Sequence, residues 1–212
     1  MSTLPMYAAD LDLFRSTRAA TLGLAEGVNE RQALFTPAAG KWSAGEVLDH
    51  LLLAEKLYRD KFTELIALIK AGRKAEIHTS FGDIDTSILF IPKAALPFME
   101  VPFRMMNLFV PTAVRETMTR YRLMPAQAPN IAQPRKGRPL TELKQDLNSS
   151  LQETSTLFES NPNLDYREMR LSHPLMGNNN ALQILRIMAM HEQRHQEQIR
   201  NLLRSPSFPK QD

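Results

Sequence analysis

Near the end of the chain, residues 191–195 read His-Glu-Gln-Arg-His. Two imidazoles four residues apart lie on one face of a helix, about 6 Å apart along its axis. His191 and His195 share that face with Ile184, Met188, Gln198, Ile199 and Leu202. They therefore interrupt an apolar stripe that should face the interior. A buried imidazole needs partners for its ring nitrogens, and two at this spacing can share a metal ion. Hydrogen-bonded histidines with no ion are the alternative for any such pair taken alone.

Glu192 completes the string HExxH, in which the histidines of a zinc protease bind the metal and the glutamate acts as general base. Such a protease takes a third ligand from downstream. Only 17 residues follow His195, and their acids are Glu197, on the same helix, and Asp212. With no strand to hold a peptide either, the protease reading is set aside. A third imidazole is available upstream. His50 lies beside the apolar stripe of a second helix, with Val47, Ala54 and Leu57. Helical bundles build metal sites from facing helices. Three histidines with an open position form a reactive site, because structural zinc sites fill all four positions with protein ligands. His78 and His173 fall outside the helices and are read as loop residues.

The chain has no cysteine, which removes disulfides, thiolate ligands and a protein-borne thiol nucleophile. A divalent metal would be held by nitrogen and oxygen alone. Nitrogen-only ligation suits zinc or nickel, with iron or manganese as further options.

Four segments carry helical periodicity and must position these residues. The first spans about residues 6–26, with Leu11, Phe14, Leu22 and Ala25 on one face and Pro5 in its first turn. The second spans 43–70 and opens on Ser43 and Glu46, which have the spacing of a capping box. The third spans 140–159, on a stripe of Leu140, Leu143, Leu147, Leu151, Thr154 and Phe158. The fourth begins near the Gly-Asn-Asn-Asn of 177–180 and ends near 203, leaving a loose tail at 205–212. Between the second and third lies an insertion, residues 72–138. Eight of the 14 prolines fall between Pro92 and Pro139. The Phe- and Met-rich run from Phe98 to Met118 predicts one or two short, proline-bounded helices, and residues 125–139 an extended linker. The only strand-like run is Thr-Ser-Ile-Leu-Phe-Ile at 86–91. The expectation is an all-α chain of one domain over residues 1–212.

That length suits one domain, and a 43% hydrophobic share is enough for a core. The net charge of +3 comes from interspersed acids and bases, with no basic block of the kind that tracks phosphates, so nucleic acid is not an expected partner. No uncharged apolar run approaches the ~18 residues that cross a bilayer, and the start lacks the pattern of a signal peptide. A soluble, cytoplasmic protein is expected.

Residues 40–55, GKWSAGEVLDHLLLAE, and 173–199, HPLMGNNNALQILRIMAMHEQRHQEQI, resemble the DinB/YfiT-like family. The order fits as well: a Trp-Ser pair, a histidine seven residues after the serine, then a late His-x-x-x-His followed by Gln and Ile. The resemblance implies a four-helix bundle with a long crossover between helices two and three, which permits those helices to run parallel. It implies a metal-binding triad carried here by His50, His191 and His195. It also implies a metal-dependent hydrolase, or a transferase or isomerase using a low-molecular-weight thiol. The 72–138 insertion carries no motif of the resemblance.

Several roles stay open at this level. Glu46 either completes the helix cap or orients His50 one turn on. Glu192 is either a catalytic base beside the metal or half of an ion pair. Gln198, almost in line with the two late histidines, touches the rim of the pocket. Trp42, the only tryptophan, either staples the start of the second helix or stacks on a ligand. The Phe98–Met118 run either packs on the bundle or a second copy of it, making a homodimer, or roofs a substrate pocket. The leading expectation is an enzyme activating water or a thiol cosubstrate against a small molecule. The alternative is a non-catalytic metal- or small-molecule-binding or dimerising module.

Overall fold

The computed structural model describes residues 4–84, 92–121, 128–174 and 176–210. In chain order its elements are helices α1 (Ala8–Glu26), α2 (Glu30–Ala33) and α3 (Ala44–Lys70), strand β1 (Glu76–His78), and helices α4 (Phe81–Ile84), α5 (Leu96–Phe109), α6 (Thr112–Tyr121) and α7 (Leu140–Glu159). Strands β2 (Arg170–His173) and β3 (Gly177–Asn180) follow, then helix α8 (Ala181–Leu203). The fold is mostly helical, as the periodicity requires. Residues 86–91 lie outside the described residues, so the strand-like run there is not assigned.

Caps fix where the helices begin. At α3 the Ser43 hydroxyl accepts from the Glu46 N–H (3.2 Å), and the Glu46 carboxylate accepts from the Ser43 N–H (2.8 Å). Asn180 and Gln183 exchange the same pair of bonds at α8. The first helix starts later than its periodicity suggests. Its N-cap is Tyr7, and Pro5 sits in the turn before it, accepting from the Ala8 N–H.

Cross-helix side-chain pairs give the directions. From α3 to α7, Gly45 lies against Leu143, Glu55 meets Thr154 and Phe62 packs on Phe158, so the two helices run parallel. From α1 to α8, Asp10 meets Arg186 and Thr21 meets Gln196, again parallel. From α1 to α7, Arg15 bonds Ser155 and Glu26 bonds Lys144, an antiparallel pair. The long connection between α3 and α7 is what lets them lie side by side in the same sense.

The core has two apolar ends with a polar layer between them. One end gathers Leu11, Phe14, Phe62, Leu65, Phe158, Tyr166 and Leu185. The other gathers Val47, Leu48, Leu51, Leu143, Leu147 and Ile199. Between them Arg18, Glu55, Thr154, Glu192 and Gln196 are all buried.

Three features depart from the sequence reading. A small sheet is present, ordered β1-β2-β3, with β1 parallel to β2 and β2 antiparallel to β3. Its strands are only 3–4 residues long, and β3 is the polar Gly-Asn-Asn-Asn, which offers no apolar alternation to detect. His78 and His173 therefore sit on strands rather than loops. The tail is docked in part: Pro209 accepts from Gln32 Nε2 (2.7 Å) and Phe208 packs edge-on against Phe35. Lastly, Pro102 lies inside α5, which continues through it.

Candidate metal centre

Three imidazoles from two helices meet at one point. His191 and His195 come from successive turns of α8, and His50 comes from α3, which runs antiparallel beside it. His195 Nε2 is 3.2 Å from His191 Nε2, and His50 Nε2 is 3.4 Å from His191 Nε2. His50 and His195 are buried, and His191 is half-buried.

The tautomers follow from what lies behind the rings. A carbonyl only accepts, so His50 Nδ1 donates to the Ala132 carbonyl at 2.7 Å. His195 Nδ1 donates to Gln198 Oε1 at 3.0 Å. In both rings the Nε2 is then an unprotonated acceptor facing the centre. His191 Nε2 can offer at most one proton to those two lone pairs. Three nitrogens bound to one ion at 2.0–2.1 Å in tetrahedral geometry stand roughly 3.3–3.4 Å apart. The two spacings to His191 match this, and all three ligand atoms lie within 4.8 Å of one another, so the residues present fit a divalent ion.

Electrostatics agree with neutral rings. Burial holds His191 well below the ordinary histidine range, and the neighbouring His195, Arg194 and His50 push the same way. Burial also lowers His50; the Ala132 carbonyl offsets part of this, and the Arg194 charge adds to it. Neutral imidazole is the form that binds metal.

The Ala132 carbonyl is itself held in place. It belongs to a single 3-10 turn, Asn130–Ala132, within the proline-rich stretch that reads as a linker. Asp49, fully buried and adjacent to His50, grips the chain just beyond it. Its carboxylate accepts from the Arg135 N–H and Nη2, both at 2.7 Å, and from Arg138 Nη1 at 3.0 Å. Burial opposes the charge, but the bonds from Arg135 and Arg138 outweigh it and hold Asp49 below its ordinary value. The insertion thus supplies the group that orients one candidate ligand. Nothing in the sequence marks a backbone carbonyl for this role; Asp49 beside His50 was the available signal.

The candidate glutamates are occupied elsewhere. Glu46 closes the α3 cap, while the nitrogen it would have oriented bonds Ala132 instead. Glu192 forms a buried ion pair with Arg18, at 2.8 and 3.0 Å, and Arg18 also reaches Glu55 at 2.8 Å. Trp42 lies against the site, its ring 4.8 Å from that of His50 and stacked 6.3 Å from that of His195. Gln198 stands behind His195. His78 and His173 are not part of the cluster: His78 pairs with Glu76, and His173 Nδ1 accepts from the Met176 N–H.

No curated protein and no solved structure matches the chain. Residues 13–199 match the family model of the DinB superfamily, a span that contains all three imidazoles, the whole of α3 and all but the last turn of α8. By that match, over most of its length, the chain belongs to the DinB superfamily.

Proposed function

We propose that this protein is a divalent-metal-dependent enzyme acting on a small molecule, with His50, His191 and His195 as the metal ligands and water or a low-molecular-weight thiol as the nucleophile. The observation that carries this reading is the convergence of three Nε2 atoms at ligand spacing, with two of the rings locked by bonds behind them. The four long helices are the bundle of the family in this reading. Zinc or nickel suits an all-nitrogen set best, with iron or manganese next. When bound, a divalent cation supplies Lewis acidity that makes water or a thiol nucleophilic near neutral pH.

The chain's own residues hold and shield the site. Ala132 and Gln198 fix the tautomers of His50 and His195. Trp42 covers two of the rings and keeps water from that side. Glu46 and Glu192, committed to a cap and an ion pair, are weak candidates for moving protons. The exposed face of α5 supports pairing of two copies.

A second reading, a non-catalytic metal-holding module, is favoured by one observation. The cavity beside His191, among Phe14, Leu51, Tyr58 and Met188, has a volume of only about 10 Å³.

Metal content separates the two. Purified protein should carry about one divalent ion per chain, lost in His191→Ala and His195→Ala. Loss of metal with a nearly unchanged melting temperature supports the enzyme; collapse of the fold with it supports the structural module. A wild-type chain that takes up no divalent metal would overturn both.

A further inference from the structure

Two of the three imidazoles are held from behind, His50 by the Ala132 carbonyl and His195 by Gln198. His191 is held differently. Its Nε2 faces the other two rings, and no described residue accepts from its Nδ1. A metal ion takes the lone pair of Nε2, which leaves the ring's one proton on Nδ1. Inside a protein such an N–H needs an acceptor, and a ligating histidine usually gives this proton to an oxygen.

Acceptors are close by. His191 is one wall of the cavity of about 10 Å³ where α1, α3 and α8 face one another, and Arg18, Glu55, Tyr58 and Glu192 are others. That space suits a single water molecule, which is retained where two to four polar groups reach it. The groups are present. Glu55 accepts from Thr154 at 2.7 Å and from Arg18 at 2.8 Å, and Arg18 bonds both oxygens of Glu192. A carboxylate has about four lone-pair sites, so each of these can accept once more. The Tyr58 hydroxyl donates to the Met176 sulfur at 3.5 Å, and its oxygen can also accept.

Resting on the three-histidine reading above, we propose that this cavity holds one ordered water, which accepts from His191 Nδ1 and donates to a carboxylate oxygen of Glu55 or Glu192. The water makes the buried Arg18 layer the positioning group of the third ligand. An ion pair sealed in the interior gains little over apolar packing. Carboxylates fixed behind a ligand have a use that packing cannot supply, since they set the ring's orientation and raise its basicity. Glu192 then acts through His191 rather than on a substrate.

The test uses the full chain, metal-free and zinc-loaded. A high-resolution crystal structure of the zinc-loaded wild type should show one water within about 3.2 Å of His191 Nδ1 and of an oxygen of Glu55 or Glu192. Ala54 lines the same cavity, and Ala54→Val adds two methyl groups there that should expel the water without removing a charge. Zinc affinity, measured by competition with a chelator, should then fall about 10–100-fold, while the metal-free variant melts close to wild type. A merely structural role for the cavity would move that melting temperature and leave zinc affinity alone. A dry cavity in the wild type, or unchanged zinc affinity in a folded Ala54→Val, overturns the proposal and leaves the triad standing. Should the variant not fold, the wild-type density decides by itself. Failure of wild type to bind zinc removes the three-histidine reading and this one with it.

Discussion

His50 shows how much of a candidate ligand's function lies behind it. Its Nδ1 is held by Ala132, and Ala132 is held by the Asp49 clamp on Arg135 and Arg138. Asp49→Asn keeps the shape but replaces one acceptor oxygen with a donor that faces the arginines. We expect about 1–3 kcal/mol lower stability in urea and roughly 10–100-fold weaker metal binding by equilibrium dialysis, the usual cost of losing the group that orients a ligand. Unchanged metal affinity would show that the carbonyl does not govern the ring. His173 makes a different prediction. Its Nδ1 accepts from the Met176 N–H, so an added proton would face a donor. Burial pushes its pKa from 6.5 down to about 4. The unfolded chain then binds more protons between those values, and stability rises with pH across that window. As pH falls from 6.5 to 4 the protein should lose about 1–3 kcal/mol from this residue. Denaturation of His173→Gln, which keeps an acceptor but cannot titrate, should show a shallower pH slope. An identical slope would assign the effect to other groups.

Among the elements, the long helices were the most legible. The third was read at its observed limits, Leu140–Glu159, because leucines recur every three or four residues and Pro139 bars earlier continuation. The capping pair Ser43 and Glu46 fixed the start of α3. What escaped was non-local: three short strands held together by backbone pairing across some 100 residues, with side chains that carry no alternation. The buried layer where α1, α3 and α8 face one another was only half legible. Glu192 could be read as half of an ion pair, but not that Arg18, 174 residues away, would be the other half. Arg18 is about 1% exposed, and its charge is favoured by Glu192 and Glu55 against the penalty of burial. Arg18→Met should therefore cost about 3–5 kcal/mol in chemical denaturation, by stranding carboxylates in the interior. The triple change Arg18→Met, Glu55→Met, Glu192→Met should recover most of that loss. A loss below ~1 kcal/mol for the single variant would mean that water or another cation reaches the layer.

On the scale of the whole molecule, the site draws on both ends of the chain and on its middle. The resemblance carried by residues 40–55 and 173–199 located the three imidazoles. It was silent on the insertion, whose proline-rich composition concealed the one carbonyl that matters. Among the described residues, the insertion also carries an exposed apolar face. Phe98, Val101, Met105 and Phe109 recur on one side of α5 and are 57–82% exposed, while Leu96 and Phe103 turn inward. Two copies pairing through this stripe and the neighbouring Val114 and Tyr121 would cover roughly 700 Å² per chain, close to a standard protein interface. Light scattering should find a dimer that Phe98→Ser with Phe109→Ser converts to monomer; a monomeric wild type would count against it. The bond from His50 to Ala132 has a last consequence. It ties the state of one candidate ligand to a segment more than 80 residues downstream, so capture of an ion at the proposed site and seating of that segment would be thermodynamically linked. Whatever steadies one must, by reciprocity, steady the other to the same degree. A protein of this design would report the filling of its interior on its own surface.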